Sequence, residues 1–434
     1  MQIRKAIRTM LAGAMILVPA ALRAQDGSIN TFSPYTFYGI GDLSLQGTTF
    51  IRSMGGAGTA YREATAINYL NPASMSAMAR KTFLFNFGLE GNNVYLRDNS
   101  TRSSYNTFNV RDVAIQFPLA KGLAFGFSIT PYSSVGYRLD LAESDPEIIS
   151  KLGDVRYRYV GEGDITQAKA GLGLKLFKNF SIGAEAVYYF GNIRRQYSTE
   201  VIPITAAGDY ASSRIVMRDN VSKIWWNVGA QYDVVSTEKR IITLGATYQH
   251  STKLDADITT RAYLQNVASD TLNLSNSVGS DFTLPSTISV GAFYHTPKMS
   301  VGVDYVYKNW AAKNGGEQST KMRLRNTNTI KAGMQYNPNR YDARRYLNRL
   351  TYRIGLRYSD YYMSFAGHDI SERAITLGLG IPIKMGNPSD VNLGLELGRR
   401  GTMASNLVRE TYFKFSIGLS LFGSDDWFRK IRYN

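Results

Sequence analysis

The chain has 434 residues, 44% hydrophobic and 19% charged, with 50 basic against 34 acidic side chains and a formal net charge of +16. Its one long apolar run stands at the N-terminus, which excludes a polytopic helical membrane protein, since that class needs several runs of about 20 apolar residues. Cysteine is absent and the three histidines (His250, His295, His368) are scattered, which excludes disulfides, thiolate catalysis and Cys-zinc sites and leaves no metal motif.

Arg4, Lys5 and Arg8 precede an apolar stretch from Met10 to Leu22, and Ala24 follows. This pattern predicts a signal peptide over residues 1–24, cut after Ala24, and hence export. Removing its four basic residues lowers the charge from +16 to +12. Such a surface favours anionic partners such as lipopolysaccharide or carboxylates; export sets nucleic acid aside. Residues 25–80 show Gly and Asn-Pro punctuation (Gly39, Gly41, Gly55, Gly56, Gly58, Asn71-Pro72) and no strand alternation. The glycines at 55–58 lack a following Lys-Ser/Thr, so they read as a tight turn and not as a phosphate loop.

From Thr82 the period becomes two. Phe83, Phe85, Phe87 and Leu89 oppose Asn86, Gly88 and Glu90. Met299, Val301, Val303, Tyr305 and Tyr307 oppose Ser300, Gly302, Asp304 and Lys308. Phe413, Phe415, Ile417, Leu419 and Leu421 oppose Lys414, Ser416, Gly418 and Ser420. Strict alternation gives each strand one apolar and one polar face. Fourteen such segments follow one another between residues 82 and 422, joined by connections that alternate short and long. The reading is all-β: a 14-stranded antiparallel transmembrane β-barrel over residues 81–422, with short periplasmic turns, long outer loops and a periplasmic tail at 423–434. A soluble sandwich explains neither the tyrosines that end the apolar faces nor the Gly-, Ser-, Lys- and Glu-rich opposing faces. Aromatic girdles and a polar lumen explain both.

Two stretches carry a family resemblance. Met54-Gly-Gly-Ala-Gly-Thr-Ala-Tyr61, followed by Ala64-Thr-Ala-Ile-Asn-Tyr-Leu-Asn-Pro-Ala-Ser-Met75, resembles the N-terminal hatch of the FadL family of outer-membrane transporters for hydrophobic compounds. Leu284-Pro-Ser-Thr-Ile-Ser-Val-Gly-Ala-Phe-Tyr294 and Val301-Gly-Val-Asp-Tyr-Val-Tyr-Lys-Asn-Trp310 are similar to that family's later hairpin. The resemblance implies that residues 25–80 form a hatch inside the lumen, with Gly55, Gly56, Gly58, Asn71, Pro72 and Ala73 at its turns. The tail from Asp425 to Tyr433 departs from the family's usual ending and resembles Bacteroidota members, among which one relative works with the type IX secretion system.

Inward parity falls on Glu90, Asp112, Lys169, Lys175, Glu185, Asp304, Lys308, Lys331, Arg353, Arg357, Glu396, Arg400 and Lys414. These charges either pair across the wall and with the hatch, or draw a ligand's anionic head. Lys331, Arg353 and Arg357 form the set best suited to a carboxylate, with Phe293 and Trp225 as a surface for its tail. Pro131 cannot donate a ladder hydrogen bond, so it marks either a break at the outer rim or a kink in the third strand. The resemblance implies that the kink opens a lateral exit. No Gly-x-Ser-x-Gly elbow exists and no cofactor is called for, so the chain does not read as an enzyme. The reading is a passive outer-membrane channel for hydrophobic or amphipathic molecules such as long-chain fatty acids. The alternative is a structural or adaptor barrel that partners a secretion system or another outer-membrane complex.

Overall fold

The computed structural model describes residues 30–202, 212–264, 271–278, 282–311, 322–383 and 388–424. The expected signal peptide, residues 25–29 and the tail from Asp425 lie outside the described residues.

Fourteen strands form the wall: β1 (Thr82–Arg97), β2 (Arg102–Ala120), β3 (Leu123–Ala142), β4 (Asp154–Lys175), β5 (Phe180–Ile202), β6 (Ser213–Ser236), β7 (Ile241–Gln249), β8 (Ser286–His295), β9 (Met299–Asn309), β10 (Thr327–Tyr336), β11 (Thr351–Phe365), β12 (His368–Pro382), β13 (Asp390–Arg400) and β14 (Arg409–Ser424). Each pairs antiparallel with the next, and β14 returns to β1 along a ladder from Thr82↔Ser424 to Arg97↔Arg409. The barrel is closed. Beyond β7 and β8, a hairpin of Ala256–Leu264 and Thr271–Val278 continues the wall upward against the outer half of β6.

Alternation sorts the side chains. On β11, Tyr352, Ile354, Leu356 and Tyr358 point outward and are exposed, while Arg353 and Arg357 between them are buried inside. Ile330, Met334 and Tyr336 on β10 and Ile288, Val290 and Tyr294 on β8 repeat the pattern. Tyrosines bound this apolar band on both sides: Tyr232, Tyr294, Tyr336 and Tyr352 toward one end, Tyr188, Tyr248, Tyr305 and Tyr358 toward the other. In water so continuous an apolar surface is a liability, whereas in a bilayer it is the lipid-facing band with its two girdles. No helix among the described residues is long and apolar enough to cross a membrane.

Three details differ from the sequence reading. β14 runs to Ser424, so Gly423 and Ser424 belong to the wall and not to a tail. The outer turn between β11 and β12 is only Ala366-Gly367, with φ of 48° and 77°. The β10–β11 connection at the short-turn end is long and holds a helical turn, Tyr346–Arg349.

Residues 30–78 lie inside the barrel as 3-10 turns at Pro34–Phe37 and Pro72–Ala77, a two-residue strand Asp42–Leu43 and a helical turn Thr49–Arg52. Ile51, Met54, Ala57, Ala60 and Ala73 have no exposed surface at all. This inner segment packs through Tyr35 and Ile40 against inward apolar residues of the outer wall such as Val135, Tyr137, Tyr362 and Met363, and makes a second apolar centre with Phe50, Ile51 and Met54.

Candidate functional site

The wall meets the inner segment at a belt of inward glycines. They sit opposite one another in the ladders: Gly88↔Gly418, Gly183↔Gly229, Gly245↔Gly291, Gly333↔Gly355 and Gly378↔Gly394. A Cβ at Gly355 would stand 2.1 Å from the Gly55 nitrogen, at Gly333 2.2 Å from the Met54 oxygen, at Gly245 2.3 Å from the Thr59 oxygen and at Gly183 2.4 Å from the Pro72 carbonyl carbon. At these four positions backbone packs on backbone, a separation that no side chain permits, whereas Gly88, Gly229, Gly291, Gly378, Gly394 and Gly418 face side chains. Gly55 and Gly56 take φ of +69° and +82° to make the turn, and the Gly55 amide donates to Thr376 Oγ1 at 2.9 Å. The Gly58 and Thr59 amides both donate to Asp304 Oδ2, at 2.7 and 2.8 Å. Asn71 caps the turn opened by Pro72: its Oδ1 accepts from the Ala73 amide at 3.0 Å, and its Nδ2 donates to the Thr59 oxygen at 2.8 Å.

Buried charges fix the segment next. Arg52 pairs with Glu90 of β1. Burial works against the Arg52 charge, but Glu90 and then Asp112 outweigh it and its pKa is raised. Arg400 of β13 holds Glu410 of β14 at 2.6 Å and also pairs with Asp42, while Ser33 donates to Glu410. Beside them the Tyr35 phenol is pushed up to about 12, by burial first and then by Glu410.

The wall itself has a seam. β2 and β3 pair from Ala120↔Leu123 up to Val113↔Ile129 and no further. Beyond that point β2 pairs only with β1, and β3 only with β4 and the inner strand. The kink is at Pro131, where β3 shifts register between Pro131 and Ser133. Pro131 thus stands mid-strand in β3. The inner segment fills the seam asymmetrically. Toward β3 it forms a ladder, with Asp42↔Ser134, Leu43↔Ser133, Ser33 N donating to Gly136 O at 2.8 Å and Ser44 N to Tyr132 O at 2.9 Å. Gly41 at φ +92° makes this approach possible, since a Cβ there would meet the Ser134 oxygen at 2.3 Å. Toward β2 only side chains reach: Arg111 Nη2 donates to Leu45 O at 3.1 Å, Asn109 Nδ2 to Asn30 O at 2.9 Å, and Phe32 stacks on Tyr105 with ring centroids 4.1 Å apart.

The residues predicted to bind a ligand all point inward but do not make one free cationic patch. Arg357 bonds Glu372 and Glu396, each at 2.7 Å, which corrects the expectation of three like charges awaiting an anion. Arg353 donates to Asn392 Oδ1 at 2.8 Å and lies 5.6 Å from the Phe50 ring. Phe293 packs edge-on against Tyr61 at 5.2 Å, and Trp225 donates to the His250 oxygen at 2.8 Å on another level of β6. Lys331 is different. It stands opposite Asp304 in the ladder, and Lys308 is inward four residues further up β9. Neither ammonium makes an ion pair or hydrogen bond among the described residues. Partly open inward hydroxyls of Thr247, Thr287, Ser289, Thr329 and Ser359 lie on the neighbouring strands.

A closed fourteen-strand wall around a buried N-terminal plug defines a plugged barrel of the FadL type. Similar solved structures are the toluene transporter TbuX of Ralstonia pickettii (17% identity, TM-score 0.57, covering 87% of this chain and 98% of that one) and the toluene transporter TodX of Pseudomonas putida (16%, 0.58, 87% and 99%). A FadL homologue of Pseudomonas aeruginosa is similar at 14% identity and TM-score 0.56, covering 88% and 99%. No curated protein matches the sequence. The sequence model of the BamG family matches residues 6–434, and the chain belongs to that family.

Proposed function

We propose that the chain is an outer-membrane channel for passive uptake of amphipathic molecules, with long-chain fatty acids as the substrate class, and that the inner segment is its hatch. The observation that carries this reading is the β2–β3 seam, a gap in the wall closed by the inner segment. Outward Phe108 and Val110 of β2 border it, so a ligand leaving there meets acyl chains and not water. Lys308, Lys331 and the hydroxyls beside them suit an anionic head group better than a bare hydrocarbon. The likeness to hydrocarbon transporters supports the transport class, and the two ammonium groups, unpaired among the described residues, argue for an amphiphile within it.

Leu43 and Ser133 are direct antiparallel partners, so a Leu43→Cys/Ser133→Cys pair meets disulfide geometry, in a chain with no other cysteine. In proteoliposomes, oxidation should abolish uptake of a fluorescent fatty acid and reduction should restore it, with the acid entering faster than its methyl ester. Equal uptake in both redox states sinks the seam as the exit.

The glycine belt favours a second reading, since it seals the lumen with backbone contacts. A filled barrel serves as an adaptor that holds other outer-membrane or secretion proteins. Stable co-purification with a complex, with no uptake in either redox state, would establish it.

A further inference from the structure

The β10–β11 connection breaks the rule of short turns at its end of the barrel, and its side chains have no part in the transport reading. Residues 337–350 are rigidly framed. Asp342 Oδ1 accepts from the Arg344 and Arg345 amides at 2.8 and 2.9 Å, and Asn348 Nδ2 donates to Asp342 Oδ2 at 2.6 Å. Asn337 Nδ2 donates to the oxygens of Arg349 and Leu350, and Asn339 N donates to Asn348 O at 2.9 Å. This frame displays apolar side chains outside any core: Tyr341 is 69% exposed, Tyr346 50% and Leu347 67%. Arg340 pairs with Asp390, and Arg349 lies over the Tyr346 ring at 5.0 Å. Arg344 and Arg345 are exposed and make no ion pair among the described residues.

The height of the loop decides what covers it. The Tyr352 phenol donates to the Leu347 carbonyl at 3.0 Å. Tyr352 is a girdle residue, paired with the girdle residue Tyr336. Leu347 is thus tied to the boundary of the lipid-facing band, and Tyr346 stands beside it. Apolar side chains at that depth meet the glycerol and upper acyl region, while arginines just beyond reach phosphate. A stable protein partner needs about 1,000 Å² of buried surface, more than one short loop offers.

We propose that residues 341–347 form a docking site for phospholipid headgroups of the inner leaflet, with Arg344 and Arg345 on the phosphate and Tyr346 and Leu347 in the lipid beneath it. The site rests on the short-turn end facing the periplasm and is independent of transport.

The test is native mass spectrometry of the full-length barrel, titrated with phosphatidylglycerol and, as a phosphate-free control, diacylglycerol. Arg344→Ala/Arg345→Ala keeps both amide bonds to Asp342. It should bind phosphatidylglycerol about 30-fold more weakly, the sum for two arginines at an anionic surface, with diacylglycerol binding unchanged. Tyr346→Ser/Leu347→Ser should weaken both lipids. Heat-modifiable gel mobility shows that each variant is folded. Wild-type phosphatidylglycerol binding in the folded arginine variant overturns the proposal. So does a variant that keeps its lipid but loses a co-purifying protein, which would make the loop a protein dock.

Discussion

The inner segment is held in two different ways along its length. At the glycine belt, Met54, Gly55, Thr59 and Pro72 touch the wall backbone to backbone, and no rotamer change makes room there. At the seam, residues 30–46 hold β3 through a short ladder, but reach β2, β13 and β14 mainly through side chains. A side chain can swing away at the cost of a few hydrogen bonds, whereas a backbone wedged between glycines moves only if the wall moves. The belt is therefore the seat of the plug and the seam is its movable edge.

Three substitutions break or sharpen this contrast. Arg400→Met should have the largest effect, because Glu410, Asp42 and Ser33 lose the cation they converge on. Leaving buried carboxylates unpaired costs about 3–5 kcal/mol. Hydrogen exchange should rise across residues 33–43 and stay low at residues 53–60; uniform protection would show that the ionic latch is dispensable. Gly355→Ala should destabilise by about 1–3 kcal/mol, as overpacking does, because its methyl collides with Gly55. Planar-bilayer conductance should rise, while Gly91→Ala, whose new methyl meets nothing closer than 3.7 Å, should leave it unchanged. If both variants conduct alike, the belt is not the seal. Arg111→Ala should have the smallest effect, about 1 kcal/mol for its hydrogen bonds to Leu45 and Ser44. It should speed uptake while lowering the melting temperature by no more than about 4 °C; unchanged uptake would mean that the β2 edge does not gate the seam.

The wall was legible because its physics is local. Alternation at Met299 to Tyr307 or Phe413 to Leu421 needs no knowledge of the partner strand, and inward parity follows from it. What the inward residues touch was not legible. Arg400 could be placed inside, yet its partners Asp42 and Ser33 lie in a stretch without periodicity, 358 and 367 residues away. Arg357 looked like part of a cationic patch because its neutralising partners, Glu372 and Glu396, sit on two other strands. The belt did have a signal, a glycine on the polar face of nearly every strand, but spacing alone does not separate a close approach from a small filler. The proline kink was visible. That the wall comes apart beside it depends on the register of β2 against β3, which no single segment encodes.

The belt also constrains the order of assembly. The plug is made before the wall that encloses it, and contacts such as Gly55 on Gly355 or Met54 on Gly333 leave no clearance for threading it into a finished ring. The inner segment must be in place while β1 and β14 are still apart, with the wall wrapping around it. Zipping the ladder from Thr82↔Ser424 to Arg97↔Arg409 is then the last step, and it traps the plug. The inner segment waits for the last strand of the wall, so folding depends on contacts between distant parts of the chain, which are slow to form.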